Sequence, residues 1–272
     1  MPTARQPRPF TLSVDIGGTG IKASVLDRRG RPVTERRRVR TPRPARPAPI
    51  LKAIGELAAG MPRYDRVAVG FPGVVEDGLV RSAANLDRTW IGVNLVRRLE
   101  RLTARPTQVA NDADVQGMAV IEGRGVELVI TLGTGMGSAL FVDGRLVPNL
   151  ELGHHPFRAG KTYEELLGDA ARKRIGKAMW NKRLRPAIET LLKTFSCRRL
   201  YLGGGNARRI RGRLPKRVRV VSNEAGILGG IRLWDPPASQ ALRRTTFTAP
   251  GRPSPARGAR PRSASARAAS RR

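Results

Sequence analysis

Apolar and polar positions alternate at the start of the chain. Leu12, Val14 and Ile16 are interleaved with Thr11, Ser13 and Asp15, the two-residue period of a half-buried strand. The pattern breaks at Gly17-Gly18-Thr19-Gly20 and resumes from Ile21 to Leu26. Residues 10–40 therefore read as a strand, a glycine-rich turn and a returning strand, with a far strand through Val33 and Val39. The prolines of residues 41–49 predict an extended connector, because each disfavours helix at the residue before it. Beyond it the pattern predicts a helix over Ile50–Ala59, a strand over Arg66–Gly70, a polar loop at 85–90 and a helix over Asn94–Leu102. A strand over Thr107–Ala110 leads into Asn111-Asp112-Ala113-Asp114 and a helix over Val115–Glu122.

The opening motif then recurs. Val126–Leu132 reads as a buried strand that ends in Gly133-Thr134-Gly135-Met136-Gly137, and Ala139–Val142 continues as a strand. Helical stretches follow over Tyr163–Ala187 and Ile188–Thr194. Arg199–Leu202 is a strand capped by Gly203-Gly204-Gly205, Val218–Val221 is another, and Ala225–Leu233 is a closing helix. Two copies of strand, glycine turn and strand imply a duplicated α/β unit with a cleft between its halves. The expected division is a leader over 1–9, an N-terminal α/β domain over 10–110, a C-terminal α/β domain over 111–234 and a basic tail over 235–272.

Composition narrows the setting. No run of 18 apolar residues exists and residues 1–9 lack an apolar signal core, which predicts a cytoplasmic protein without a membrane partner. The one cysteine, Cys197, excludes an internal disulfide and a multi-cysteine zinc site. The formal net charge is +31. The tail holds nine arginines against one acid, Asp235, so most of the excess belongs to the folded part and favours a polyanionic partner. Cations at helical spacing supply a candidate track: Lys161, Arg172, Lys173, Arg174, Lys177, Lys182, Arg183 and Arg185.

Three glycine-rich turns, at 17–20, 133–137 and 203–205, each end a strand. Bare N–H groups in such turns bind phosphate oxygens, so two turns can cradle a phosphate chain and the third leaves room for a flat group. Thr19 adds a hydroxyl, and Asp15 at its strand end can orient a metal or a water. In Asn111-Asp112 the carboxylate suits a general base and the amide can position a hydroxyl. Asp114 reads as a helix N-cap. Glu151 and His154 suit a polyol, since each hydroxyl needs a donor and an acceptor; a metal pair with His155 is the alternative. Either Glu164 or Glu165 can reach such a pocket, or complement the helix dipole.

These stretches resemble the ROK family of sugar kinases, and within it the polyphosphate glucokinases. The resemblance rests on Asp15–Lys22, Phe71–Val75, Ala84–Asp87 with Trp90–Gly92, Asn111–Asp114, Thr131–Ser138, Glu151–His154 and Gly203–Gly205, and covers residues 11–234. It implies the two-domain actin-like ATPase (hexokinase) fold, with the active site in the cleft. It implies phosphoryl transfer from polyphosphate or ATP, with Mg2+, to the 6-hydroxyl of glucose. By motif, Asp112 would be the base, and Asn85, Asn111, Glu151, His154 and Glu164 would hold sugar. Gly17, Gly18, Thr19, Gly20 and Lys22 would hold the donor, together with Gly133, Thr134, Gly135, Gly203, Gly204 and Gly205. Asp15 would lie by the donor's metal. The cysteine cluster that binds structural zinc in many family members is absent, and the residues before the hairpin leave no room for the helix-turn-helix of the family's repressors. Homodimers are frequent in the family. Other acceptors (mannose, fructose) and a sugar-responsive nucleic-acid-binding regulator are the rival readings.

Overall fold

The computed structural model describes residues 9–84, 86–222 and 225–235. In the first half, β1 (Thr11–Ile16), β2 (Gly20–Leu26) and β3 (Arg37–Arg40) form an antiparallel meander, followed by α1 (Pro47–Ala59) and β4 (Arg66–Phe71). A small hairpin, β5 (Val75–Glu76) and β6 (Leu79–Val80), precedes α2 (Leu95–Thr103) and β7 (Thr107–Asn111). The second half begins with α3 (Asp112–Met118) and the meander β8 (Val126–Leu132), β9 (Met136–Val142) and β10 (Arg145–Val147). The hairpin β11 (Pro156–Arg158) and β12 (Lys161–Thr162) leads to α4 (Tyr163–Leu167) and α5 (Asp169–Phe195). β13 (Arg199–Gly203), β14 (Val218–Val220) and α6 (Ala225–Leu228) close the order.

The two five-stranded sheets have one topology. Their orders are β3-β2-β1-β4-β7 and β10-β9-β8-β13-β14, with antiparallel pairing in the meander and parallel pairing beyond it. The duplication expected from the repeated turns is thus present at the level of whole sheets. Leu12, Val14 and Ile16 of β1 share a core with Ile50 and Ile54 of α1 and Leu95 and Leu99 of α2. Leu128, Ile130 and Leu132 of β8 share another with Trp180, Leu184 and Ile188 of α5. Between the sheets, α3 buries Val115 and Met118 in a cluster with Ala68 and Ala110 of one sheet and Val129 and Phe141 of the other. Tight packing of this kind fixes the relation of the two sheets.

Several element bounds differ from the sequence reading. The far strand is confined to Arg37–Arg40, and Val33 is exposed outside it. α1 begins at Pro47, because proline is tolerated in a first turn whose N–H groups have no helical partner. α3 begins at Asp112 and its cap is Asn111, whose Oδ1 accepts the Ala113 N–H at 2.8 Å. Asp114 is therefore no cap; it is fully buried. The long helical stretch breaks at Gly168 and again at Gly176, which has φ +75°. The closing helix is α6 followed by a 3-10 segment, Gly229–Trp234. This segment returns to β1, β4 and β7, and Ser13 Oγ donates to the Ile227 carbonyl at 2.7 Å. A Cβ at Gly230 would collide with Ser13, so the close approach requires glycine.

Candidate active site

A cavity of about 660 Å3 lies between the sheets, lined by the first two glycine turns, Asp15, Lys22, Asn111, Asp112, Glu151, His154, Glu164, Gly204 and Gly205. The duplicated topology causes this convergence: each meander turn lies at the same end of its sheet, and α3 starts from β7 between them. In the first turn, Gly17 O accepts the Thr41 hydroxyl and Gly18 O accepts an Arg43 N–H at 2.7 Å. In the second, Gly133 O accepts from Asp169 N–H at 2.9 Å and from Asn206 Nδ2 at 3.2 Å. The carbonyls are thereby engaged. The N–H groups of Gly18, Thr19, Thr134 and Gly135 have no acceptor among the described residues. Bare donors of this kind can take anion oxygens, and all four residues line the cavity.

Several of the side chains lining the cavity are polar and acidic. Asn111 Nδ2 donates to Gly73 O at 3.2 Å and to Glu151 Oε1 at 3.1 Å, and His154 Nε2 lies 3.3 Å from Glu151 Oε2. Glu164 Oε2 accepts the Met136 N–H at 3.0 Å, which turns this carboxylate into the cavity. Glu165 instead completes a capping box with Thr162 and is exposed, so of the two glutamates only Glu164 reaches the site. Burial raises the Glu151 pKa, the neighbouring Glu164 charge adds to the rise, and His154 opposes it. Asp112, partly open to the cavity, is pushed up to about 7, first by burial and then by the Asp15 charge. Asp114 behind it is pushed up to about 8 by burial; its Oδ2 accepts the Asn149 N–H at 3.2 Å, and its Oδ1 has no partner. Perturbed carboxylates in a cleft mark a functional site.

Asp15 Oδ2 accepts from Lys22 Nζ at 2.6 Å, and Oδ1 has no partner among the described residues. Among the described residues no group of three or more His, Cys, Asp or Glu side chains is placed to hold a metal alone. Mg2+ needs no such cage, since it keeps waters and takes one or two carboxylates together with donor phosphates. Asp15, with one oxygen not taken by Lys22, fits that donor set.

Asn85 lies outside the described residues, and Gly203 is buried under the cavity rather than lining it. Of the eight cations on the candidate track, only Arg172 and Lys173 reach the cavity, and both are paired with Asp169, at 2.6 and 2.8 Å. Their hydrogen bonds hold Asp169 down to about 2. The other six cations do not line the cavity. Lining residues that the sequence reading missed include Arg36, Arg38, Gln116, Thr131, Asp169, Asn206, Arg208 and Arg209. The arginine run Arg36-Arg37-Arg38 beside the hairpin carried a signal for Arg36 and Arg38; Asp169 carried none.

The described residues contain no helix long and apolar enough to cross a membrane. The family model described as "ROK family" matches residues 11–162. The polyphosphate glucokinase of Mycobacterium leprae (strain TN) is 32% identical over 238 residues, 80% of this chain and 72% of that protein. The polyphosphate glucokinase of Mycobacterium tuberculosis (strain ATCC 25618 / H37Rv) is 31% identical over 235 residues, 80% of this chain and 88% of that protein. Among solved structures, the inorganic polyphosphate/ATP-glucomannokinase of Arthrobacter sp. strain KM matches with a TM-score of 0.77 at 35% identity, covering 85% of this chain and 99% of that one. A ROK family glucokinase from Streptomyces griseus in complex with glucose and AMPPNP matches in fold, with a TM-score of 0.66 at 21% identity over 82% of this chain and 98% of that one. With duplicated sheets, paired glycine turns and an Asn-Asp step between them, the chain has the hexokinase-like actin fold and belongs to the ROK family.

Proposed function

We propose that this protein is a sugar kinase that transfers a phosphoryl group from polyphosphate or ATP to the 6-hydroxyl of glucose. The observation that carries the reading is the cavity's mixed lining. Bare N–H donors of Gly18, Thr19, Thr134 and Gly135 share it with Asn111, Asp112, Glu151 and His154. The first set suits phosphate and the second suits a polyol. The names of the similar proteins support the donor and acceptor classes.

Asn111, Glu151, His154 and Glu164 hold the sugar and aim its 6-hydroxyl. The hydroxyl proton passes to the Asp112 carboxylate as the oxygen bonds to the terminal phosphorus, and the phosphorus–oxygen bond to the rest of the donor breaks. The glycine-turn N–H groups, with Lys22, take up charge on the phosphoryl oxygens. When bound beside Asp15, Mg2+ supplies further neutralisation of the donor. The strands and helices of 10–110 form one domain and those from 111 the other, with residues 225–235 closing back on the first sheet.

The test is a kinetic screen of the purified protein, with polyphosphate and ATP against glucose, mannose and fructose. Glucose turnover with either donor is expected. Mannose turnover above that of glucose would reassign the acceptor. Absence of turnover with every pair would refute the kinase reading.

A further inference from the structure

We propose that Arg36 and Arg38 form a bank along which an inorganic polyphosphate chain runs away from the transfer site, and that they set the preference for this donor over ATP. The inference rests on the polyphosphate-using reading above. It begins with strand register. β3 pairs with β2 so that Arg38 is opposite Lys22 and Arg40 opposite Gly20. That register puts Arg38 beside Lys22, Arg36 lies just ahead of β3, and all three line the cavity. A Cβ on Gly20 would lie 2.6 Å from Arg38 Nε and 3.0 Å from Nη2. The guanidinium thus lies against the first glycine turn.

Neither arginine side chain has a hydrogen bond or ion pair among the described residues. The other cations nearby are engaged: Lys22 by Asp15, Arg172 and Lys173 by Asp169, and Arg43 by the Gly18 carbonyl. Like charges directly opposite across strands are destabilising, and Arg38 faces Lys22 with no acid of its own. An anion running between them relieves that repulsion. Across the cavity, Arg208 and Arg209 follow the third glycine turn, and Arg209 Nε is buried without a partner. The cavity therefore presents unpaired guanidinium groups on two sides.

Donor chemistry separates the two banks. The phosphate run of ATP ends at a nucleoside, whereas polyphosphate continues with a negative charge at every unit. Guanidinium forks match successive phosphate oxygens. The Arg208–Arg209 side adjoins the turn open to a flat group and serves either donor. The Arg36–Arg38 side adjoins the first glycine turn, and a continuing phosphate chain is the donor that gains contacts there.

The experiment compares the full chain with its R36Q/R38Q variant, using long-chain polyphosphate, tripolyphosphate and Mg-ATP, each at several salt concentrations. The ratio of kcat/KM for long polyphosphate to that for ATP is expected to fall roughly 10–100-fold in the variant, on loss of two charge-assisted contacts. The slope of log kcat/KM against log salt for long polyphosphate should become shallower by about 1 for each arginine. The advantage of long polyphosphate over tripolyphosphate should shrink with it. An R36K/R38K variant, which keeps the charge but not the fork, should fall between the two and serves if the glutamine variant does not fold. An unchanged donor ratio, or equal losses for both donors, would overturn the inference while leaving the kinase reading intact. Wild-type turnover with ATP but none with polyphosphate would refute the donor reading itself and this inference with it.

Discussion

Replacing Asp112 by asparagine should remove activity and stabilise the protein at the same time. Asp112 has its pKa moved from 3.8 to about 7, chiefly by burial and by the Asp15 charge. The folded protein therefore holds this proton more tightly than the unfolded chain does. Below about pH 3.8 both states are protonated and the group contributes no difference. Between 3.8 and about 7 the folded state binds more protons, so stability falls as pH rises, and above 7 the loss is complete. At about 1.36 kcal/mol per pH unit the loss is about 4 kcal/mol at most, and water in the cavity reduces it to roughly 2–4 kcal/mol. Asparagine cannot ionise and does not incur that cost. The D112N variant should thus melt higher than wild type at pH 8, and the difference should close towards pH 4. Loss of the base should lower kcat by about 10²–10⁴-fold, with glucose binding retained. In wild type, kcat/KM should fall about tenfold per pH unit below about 7, because only the ionised carboxylate accepts the proton. Coupled glucose-6-phosphate detection from pH 5 to 9, with thermal melts in the same buffers, measures both. Turnover of D112N within threefold of wild type, or equal melting midpoints of the two at pH 8, would refute the reasoning.

Chelation with EDTA should stop turnover, Mg2+ should restore it, and the melting midpoint should not move, since the described residues offer carboxylates for a donor-bound ion but no three-ligand cage. Alanine at Gly135 would drive a Cβ into the Glu164 carboxylate, so kcat/KM for glucose should fall about 10–100-fold, measured by steady-state kinetics, with the fold retained by circular dichroism. Glu127 accepts N–H bonds from Glu122, Gly123 and Arg124 at 2.8, 2.6 and 3.1 Å and the Tyr201 hydroxyl at 2.7 Å. Tyr201→Phe should cost about 1–2 kcal/mol in urea unfolding and leave KM for glucose unchanged. Deleting residues 236–272, whose sequence offers few apolar positions, should leave melting midpoint and turnover unchanged.

The elements of this protein that depend on neighbouring residues were legible in its sequence. Period-two alternation marked β1, and an apolar run bounded by glycines marked β8 to its final residue. The repeated glycine turns announced the duplication, and the Asn111-Asp112 step between them announced the site. Each signal is local, because backbone geometry imposes a strand's period and a turn's need for glycine over a few residues. Tertiary structure decided what depends on distant partners. Whether Glu164 or Glu165 faces the cavity turned on a capping box and on the Met136 N–H, 28 residues away. Asp114 reads as a cap, but packing of α3 between two sheets buried it and left capping to Asn111. The basic stretch of α5 reads as a face of cations at helical spacing, yet the helix is interrupted at Gly176 and most of those cations do not line the cavity. Sheet register placed Arg38 there instead, with Arg36 just ahead of its strand. Burial, pKa and the identity of the free cations are properties of the assembled fold, because they depend on the low-dielectric surroundings that packing creates.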